Sequence, residues 1–151
     1  GTIPTGGATT VVQQLDAALP TIHATFAAAS TALARLDADA AALAVLTAAP
    51  VDVLSEESGR HRRGFGVCVV VDPVDGSTNA SRGLPVYATS LCACDASGPW
   101  VAAVTDLVRG VTYRAERGAG ATCDGAPIRV ADPVAAPAPR SAADDVVMIA
   151  S

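Results

Sequence analysis

A chain of 151 residues is the length of one ordinary domain, and with 50% hydrophobic residues it can bury a real core. Only 3% of the residues are aromatic, so that core has to be built from Ala, Val and Leu. All ten basic residues are arginine and the formal net charge is −5, which excludes lysine-dependent chemistry such as a Walker-type phosphate loop and argues against nucleic acid as a partner.

The first eight residues are rich in Gly, Pro and Thr and read as loose chain. Thr9 to Leu19 reads as a short helix ended by Pro20. From Thr21 to Ala49, Ile22, Phe26, Ala29, Leu33, Leu36, Ala40, Leu43 and Leu46 recur at three- and four-residue steps, which predicts helix with these residues on its buried face. Asp37 is placed to cap a second helix inside this stretch, and Pro50 ends it. Residues 17–34 carry no formal charge, yet Pro20, His23 and many small residues make them too weakly apolar for a membrane span. No secretory leader is visible at the start, so a cytoplasmic protein with no membrane partner is expected.

Val51 to Leu54 reads as a short strand ending in Ser55-Glu56-Glu57-Ser58-Gly59. The basic cluster Arg60-His61-Arg62-Arg63 reads first as a solvated loop between two strands, and second as a lure for phosphate. A β-branched run through Val69, Val70 and Val71 then breaks into Asp72-Pro73-Val74-Asp75-Gly76-Ser77-Thr78-Asn79. Pro73 has no N–H and a fixed φ, so it stops a sheet ladder and stiffens the turn that presents Asp72 and Asp75. Gly76, Ser77 and Asn79 start a tight turn or short helix with backbone N–H groups directed outward. Two carboxylates beside such donors suit a divalent cation together with a phosphate. The same residue types also make ordinary turns; the second strand ending in paired acids, Glu56 and Glu57, shifts the balance towards a site.

Further strands are expected over Val86 to Cys94, Trp100 to Val108, Val111 to Ala115 and Ile128 to Val130, joined by short turns that imply antiparallel pairing. Asp132 to Arg140 is a Pro-rich linker, and Val146 to Ala150 reads as one more strand. The expected architecture is a single α+β domain over residues 1–151, with N-terminal helices packed on a largely antiparallel sheet. Cys68, Cys92, Cys94 and Cys123 have no zinc-ribbon spacing and read as reduced structural thiols, with Cys92 and Cys94 on one face of a strand. Cys123 to Arg129 has the Cys-x5-Arg spacing of cysteine phosphatases, but Pro127 removes an amide such a loop needs and no helix follows.

Leu54-Ser55-Glu56-Glu57-Ser58-Gly59 followed by Asp72-Pro73-Val74-Asp75-Gly76-Ser77-Thr78-Asn79 resembles the two N-terminal signatures of the inositol monophosphatase family, magnesium-dependent and lithium-sensitive phosphatases. Tyr113-Arg114-Ala115, through Gly118-Ala119-Gly120-Ala121 to Asp124-Gly125-Ala126-Pro127-Ile128, resembles that family's hairpin. The three motifs stand in the family's order, within residues 37–130. The resemblance implies a layered sandwich of the family type without its C-terminal domain, Mg²⁺ as cofactor and a small phosphorylated metabolite as substrate, with a homodimer as one possible assembly. It implies that Asp72 bridges two Mg²⁺ ions, that Glu56 and the carbonyl of Val74 complete one site, and that Asp75 belongs to the second. Ser77 stands where the family usually has Thr; with Glu56 and Asp39 it is implied to activate water, Asp37 being the other candidate for the Asp39 role. Gly76 and Ser77 amides are implied to hold the phosphate, and Glu57 to assist from outside the ligand set. The family's further Asp, in a Trp-Asp-x-Ala-Gly-like motif, has no counterpart, because Trp100 is followed by Val101 and Ala102. Two readings follow: a phosphomonoesterase, whole or shortened, and a non-catalytic metal- or phosphate-binding domain.

Overall fold

The computed structural model describes residues 10–18, 20–21 and 33–130. Expectations for the first eight residues, for Ile22, Phe26 and Ala29, for the Pro-rich stretch and for a strand over Val146 to Ala150 lie outside the described residues. Residues 10–18 and 20–21 are helical (α1), so Pro20 is not the stop that the sequence suggests. The Thr21 hydroxyl donates to the Ala17 carbonyl at 3.1 Å there, next to a residue that has no N–H of its own. α2 spans Leu33–Leu46, and the chain then forms β1 (Asp52–Ser55), β2 (Gly59–His61), β3 (Cys68–Asp75), α3 (Ser77–Ser81), β4 (Ala88–Asp95), β5 (Gly98–Asp106), β6 (Thr112–Glu116), β7 (Gly120–Cys123) and β8 (Ala126–Ile128).

The eight strands make one sheet in the order β2-β1-β3-β4-β5-β6-β7-β8. Every neighbouring pair is antiparallel except β1 with β3, so the α+β architecture holds with one parallel pair in it. β2, expected as loop, is a polar three-residue edge strand with no apolar alternation to betray it. The chain must then cross the start of β1 to begin β3, and Asp52 and Arg63 hold that passage. The Asp52 carboxylate accepts the backbone N–H of Arg63 (2.7 Å) and Phe65 (3.2 Å), which holds its pKa below the ordinary carboxylate value. The Arg63 guanidinium donates to the carbonyls of Thr47 and Ala49, both at 2.8 Å, just beyond the end of α2.

α2 presents only part of the face its periodicity suggests. Leu46 is buried and Leu43 packs against the core as expected, but Leu36 is 61% exposed and Ala40 is exposed, whereas Ala38, Asp39 and Ala42 are buried. Asp37 lies inside the helix and is exposed, so it caps nothing. In an alanine-rich helix a few leucines fix the phase weakly. Here Ala38 and Ala42 lie against the sheet, and Asp39 finds a hydrogen-bond partner on β1. The core unites Val11, Leu15 and Ala18 of α1 with Val53, Val69, Val71, Leu91, Ala93, Val101 and Ala103, and it is built from Ala, Val and Leu as composition requires. Among the described residues no helix is long and apolar enough to cross a membrane.

Strand alternation sends the remaining residues to the opposite face. The registers join Leu54, Val70, Cys92, Ala102, Ala115, Ala121 and Ile128 into one row across seven strands with no charge in it. The next row runs Asp72, Ser90, Val104, Tyr113 and Cys123, and that row borders the site.

Candidate active site

Asp72 and Asp75 are three residues apart, and in a regular strand they would point to opposite faces. Asp72 pairs with Ser90 but Asp75 pairs with Ala88, so three steps along β3 meet two along β4. This is a β-bulge, and the extra residue returns Asp75 to the face of Asp72. Pro73, which cannot donate to the ladder, sits in the bulge with its carbonyl accepting the buried Thr89 hydroxyl at 2.7 Å. The Asp72 carboxylate accepts the Val74 N–H at 3.0 Å, which fixes the turn from inside.

Glu56 arrives from β1. Its N–H donates to the Val71 carbonyl at 3.0 Å, so it follows the β1–β3 ladder by one residue. Ser55 faces the helices and Glu56, one residue on, faces the other way, towards Asp72. Asp39 accordingly lies on the helix side. It accepts a hydrogen bond from the Ser55 hydroxyl, whose oxygen in turn receives the N–H groups of Glu57 (3.2 Å) and Ser58 (3.4 Å). Asp39 therefore braces the turn that carries Glu56.

After the bulge, Gly76 adopts φ 84° and ψ 28° and opens α3. A Cβ at Gly76 would come within 2.9 Å of the Val86 carbonyl oxygen and 3.3 Å of Tyr87, so both the conformation and the space require glycine. Asn79 ties α3 to the approach of β4 by donating to the Val86 carbonyl at 2.9 Å.

These elements line a cleft of about 520 Å³. Of the residues singled out from sequence, Glu56, Asp72, Val74, Asp75, Gly76 and Ser77 line it; Asp39 and Glu57 do not. The sequence reading missed Tyr87, Asp106, Arg109 and Tyr113, which line it from the residue before β4, from β5, from the turn after β5 and from β6. Asp106 is committed to that turn: it accepts the N–H groups of Val108 and Arg109 at 2.8 and 2.9 Å and pairs with the Arg109 guanidinium at 3.2 Å, which lower its pKa. The basic cluster contributes nothing to the lining. Arg63 serves α2, and His61 Nε2 is 2.8 Å from the Ser58 hydroxyl.

Burial raises the Asp72 pKa above its ordinary value, the Val74 N–H opposes this, and the negative charges of Asp75, Glu56 and Glu57 raise it further. Several carboxylates thus face one another with no cation in the lining near enough to offset Asp72. Their oxygens, with the Val74 carbonyl, are the hard donors that a small divalent cation takes. Among the described residues no group of three or more His, Cys, Asp or Glu side chains is placed to hold a metal ion as the side chains stand. The cysteine-phosphatase alternative has no support in the geometry, because Cys123 ends β7, Asp124 and Gly125 form the turn with φ 47° and 81°, and Ala126 begins β8. That is a two-residue hairpin, with no anion cradle and no following helix.

Comparison with known proteins agrees with the fold and the motifs. The chain matches the inositol monophosphatase family over residues 20–146. It is 41% identical over 83 residues to a fructose-1,6-bisphosphatase/inositol-1-monophosphatase of Thermococcus kodakarensis, covering 55% of this chain and 32% of that protein. A protein named Nus factor SuhB from Xylella fastidiosa is 37% identical over 83 residues, covering 53% of this chain and 29% of that one. The structure of inositol monophosphatase from Anabaena (Nostoc) superimposes with a TM-score of 0.75 at 26% identity, over 83% of this chain and 51% of that chain. The matches thus take in about a third of these curated relatives and half of the solved structure. With signatures, sheet and cleft all in accord, this chain belongs to the inositol monophosphatase family.

Proposed function

We propose that this chain carries the catalytic acids of a Mg²⁺-dependent phosphomonoesterase acting on a small phosphorylated metabolite. The observation that carries the reading is the bulge at Pro73, which puts Asp72 and Asp75 on one face beside Glu56, at the start of α3. Glu56, Asp72, the Val74 carbonyl and Asp75 hold Mg²⁺, which when bound supplies Lewis-acid stabilisation of charge on the phosphoryl oxygens. The Gly76 and Ser77 amides bind those oxygens and orient phosphorus, and the Ser77 hydroxyl aligns the attacking water. Glu56 accepts the proton as the water attacks in line. Asp39, through Ser55, and Glu57, through its charge, keep Glu56 and Asp72 in place. The net charge of −5 argues against nucleic acid as a partner, and a cation bound among the cleft acids would reverse the local sign for a small anionic substrate.

The test is hydrolysis of a generic phosphomonoester with and without Mg²⁺, beside the Asp72→Asn variant. Activity that requires Mg²⁺ and disappears in the variant is the expected result. Turnover that ignores chelation, or survives Asp72→Asn, overturns the reading. A second reading, a domain that binds cation and phosphate without turnover, is favoured by the open arrangement of the acids. Its signature is a Mg²⁺-dependent rise in melting temperature, lost in Asp72→Asn, with no hydrolysis.

A further inference from the structure

The bulge at Pro73 is held from the core as well as from the cleft. Because Asp72 pairs with Ser90 and Asp75 with Ala88, Thr89 is the one residue of β4 that faces both Pro73 and Val74. It is fully buried and shares its side of β4 with Leu91 and Ala93, in the apolar core. Valine would match its shape there with no hydroxyl to bury, and burying a hydroxyl costs free energy unless it is bonded. The bond it makes is the 2.7 Å contact to the Pro73 carbonyl. The Val74 N–H belongs to the same peptide group, and it donates to the Asp72 carboxylate at 3.0 Å. No peptide bond among the described residues is cis, and across a planar trans unit the C=O and N–H point in opposite directions. One end of this unit is thus gripped from the core by Thr89, while the other grips Asp72 in the cleft.

We propose that Thr89 is a positioning residue for the cation site: through the Pro73–Val74 peptide group, its hydroxyl sets the direction in which the Asp72 carboxylate faces the cleft. The inference rests on the reading of Asp72 as a cation ligand. Thr89 itself does not line the cleft and acts only through the backbone. Without the hydroxyl, the buried carbonyl loses a donor and the peptide group is free to tilt. The Val74 N–H tilts with it, and the Asp72 carboxylate loses its anchor. A ligand held by fewer bonds spends less time in the orientation a cation needs. A donor on the carbonyl also polarises the group and strengthens the bond made by its N–H. Thr105 provides the contrast. It stands opposite Thr89 in the ladder and is buried too, but its hydroxyl lies 2.9 Å from that of Thr112, on the side of β5 away from the bulge.

Thr89→Val, Thr89→Ser and Thr105→Val test this with two measurements on the same chain. The first is the hydrogen-exchange rate of the Val74 amide, followed by NMR in the absence of metal. The second is the Mg²⁺ concentration that gives half of the metal-dependent rise in melting temperature. In Thr89→Val the Val74 amide is expected to exchange several-fold faster, and the half-saturating Mg²⁺ concentration to rise about tenfold. Thr89→Ser keeps both near the wild-type values, because it keeps the hydroxyl. Thr105→Val lowers the melting temperature but moves neither measurement. Should Thr89→Val fail to fold, Thr89→Ala makes the same comparison. Val74 exchange unchanged by loss of the Thr89 hydroxyl, an equal effect of Thr105→Val, or a Thr89→Ser variant no better than Thr89→Val overturns the proposal. A wild type with no Mg²⁺-dependent rise overturns the functional reading instead, and the metal-free exchange of Val74 then decides the role of Thr89 alone.

Discussion

Gly76 is the residue on which the cleft turns. Its left-handed backbone and the 2.9 Å approach to the Val86 carbonyl act together, so Gly76→Ala strains the chain and pushes α3 away from β4. The expected cost is about 1–3 kcal/mol in urea unfolding, with loss of any Mg²⁺-dependent rise in melting temperature. Asp39 makes a different prediction, because it lies behind β1 and touches nothing in the cleft. Asp39→Ala takes away the acceptor of the buried Ser55 O–H and loosens the Glu56 turn, lowering unfolding free energy by about 1–3 kcal/mol while the Asp72 and Asp75 pair stays in register. Glu56, Asp72 and Asp75 were legible as neighbours in one cleft because each follows a short apolar run, so the acids proposed to carry the chemistry are local to their motif. Tyr87, Arg109 and Tyr113 were not, since only strand pairing between distant segments brings them to the same cleft. Asp39 was legible as an acid of interest, but the alternation that places it on the helix side of β1 is visible only once Ser55 has a register.

Among the elements, β3 carries the most information, because its two faces lead to different fates. Val69 and Val71 are at most 1% exposed beneath the helices, while Val70 between them is 41% exposed on the other face. Val69→Ala is therefore expected to cost about 2 kcal/mol, and Val70→Ala only a few tenths, in matched denaturant titrations with equal slopes. Equal costs for the two would mean that the open face is packed in solution. The strands were readable from sequence because β-branched runs bounded by turn residues have few other uses. The bulge was half readable: Pro73 announced a break in the ladder, but not that the break would restore Asp75 to the face of Asp72. β2 and the phase of α2 were not readable. A polar edge strand has no periodicity to detect, and an alanine-rich helix takes its orientation from the sheet it meets.

At the scale of the whole molecule, the ionisable groups that folding perturbs define a pH window. Asp52, Asp95 and Asp106 have pKa values lowered by backbone N–H groups and arginine side chains; for Asp95 the largest cause is Arg117, at 3.0 Å. A carboxyl whose pKa is lower folded than unfolded stabilises the fold fully above the unfolded value, and that contribution disappears as pH falls through the folded one. The acid limb therefore lies below the ordinary carboxylate pKa of 3.8. All three groups are partly exposed at the surface, so each contribution is small and shrinks with added salt. The thiols act in the opposite sense. Cys68 and Cys92 have pKa values raised chiefly by burial, so the unfolded chain loses these protons first. Their contribution is intact below pH 9.0 and is lost as pH rises towards the Cys92 value of about 11. Melting temperature should accordingly stay level through neutral pH and fall between pH 9 and 11, and Cys92→Ala should flatten that fall while leaving the acid limb in place. An alkaline limb unchanged by Cys92→Ala would assign it to other groups and would remove the thiols from the account of stability.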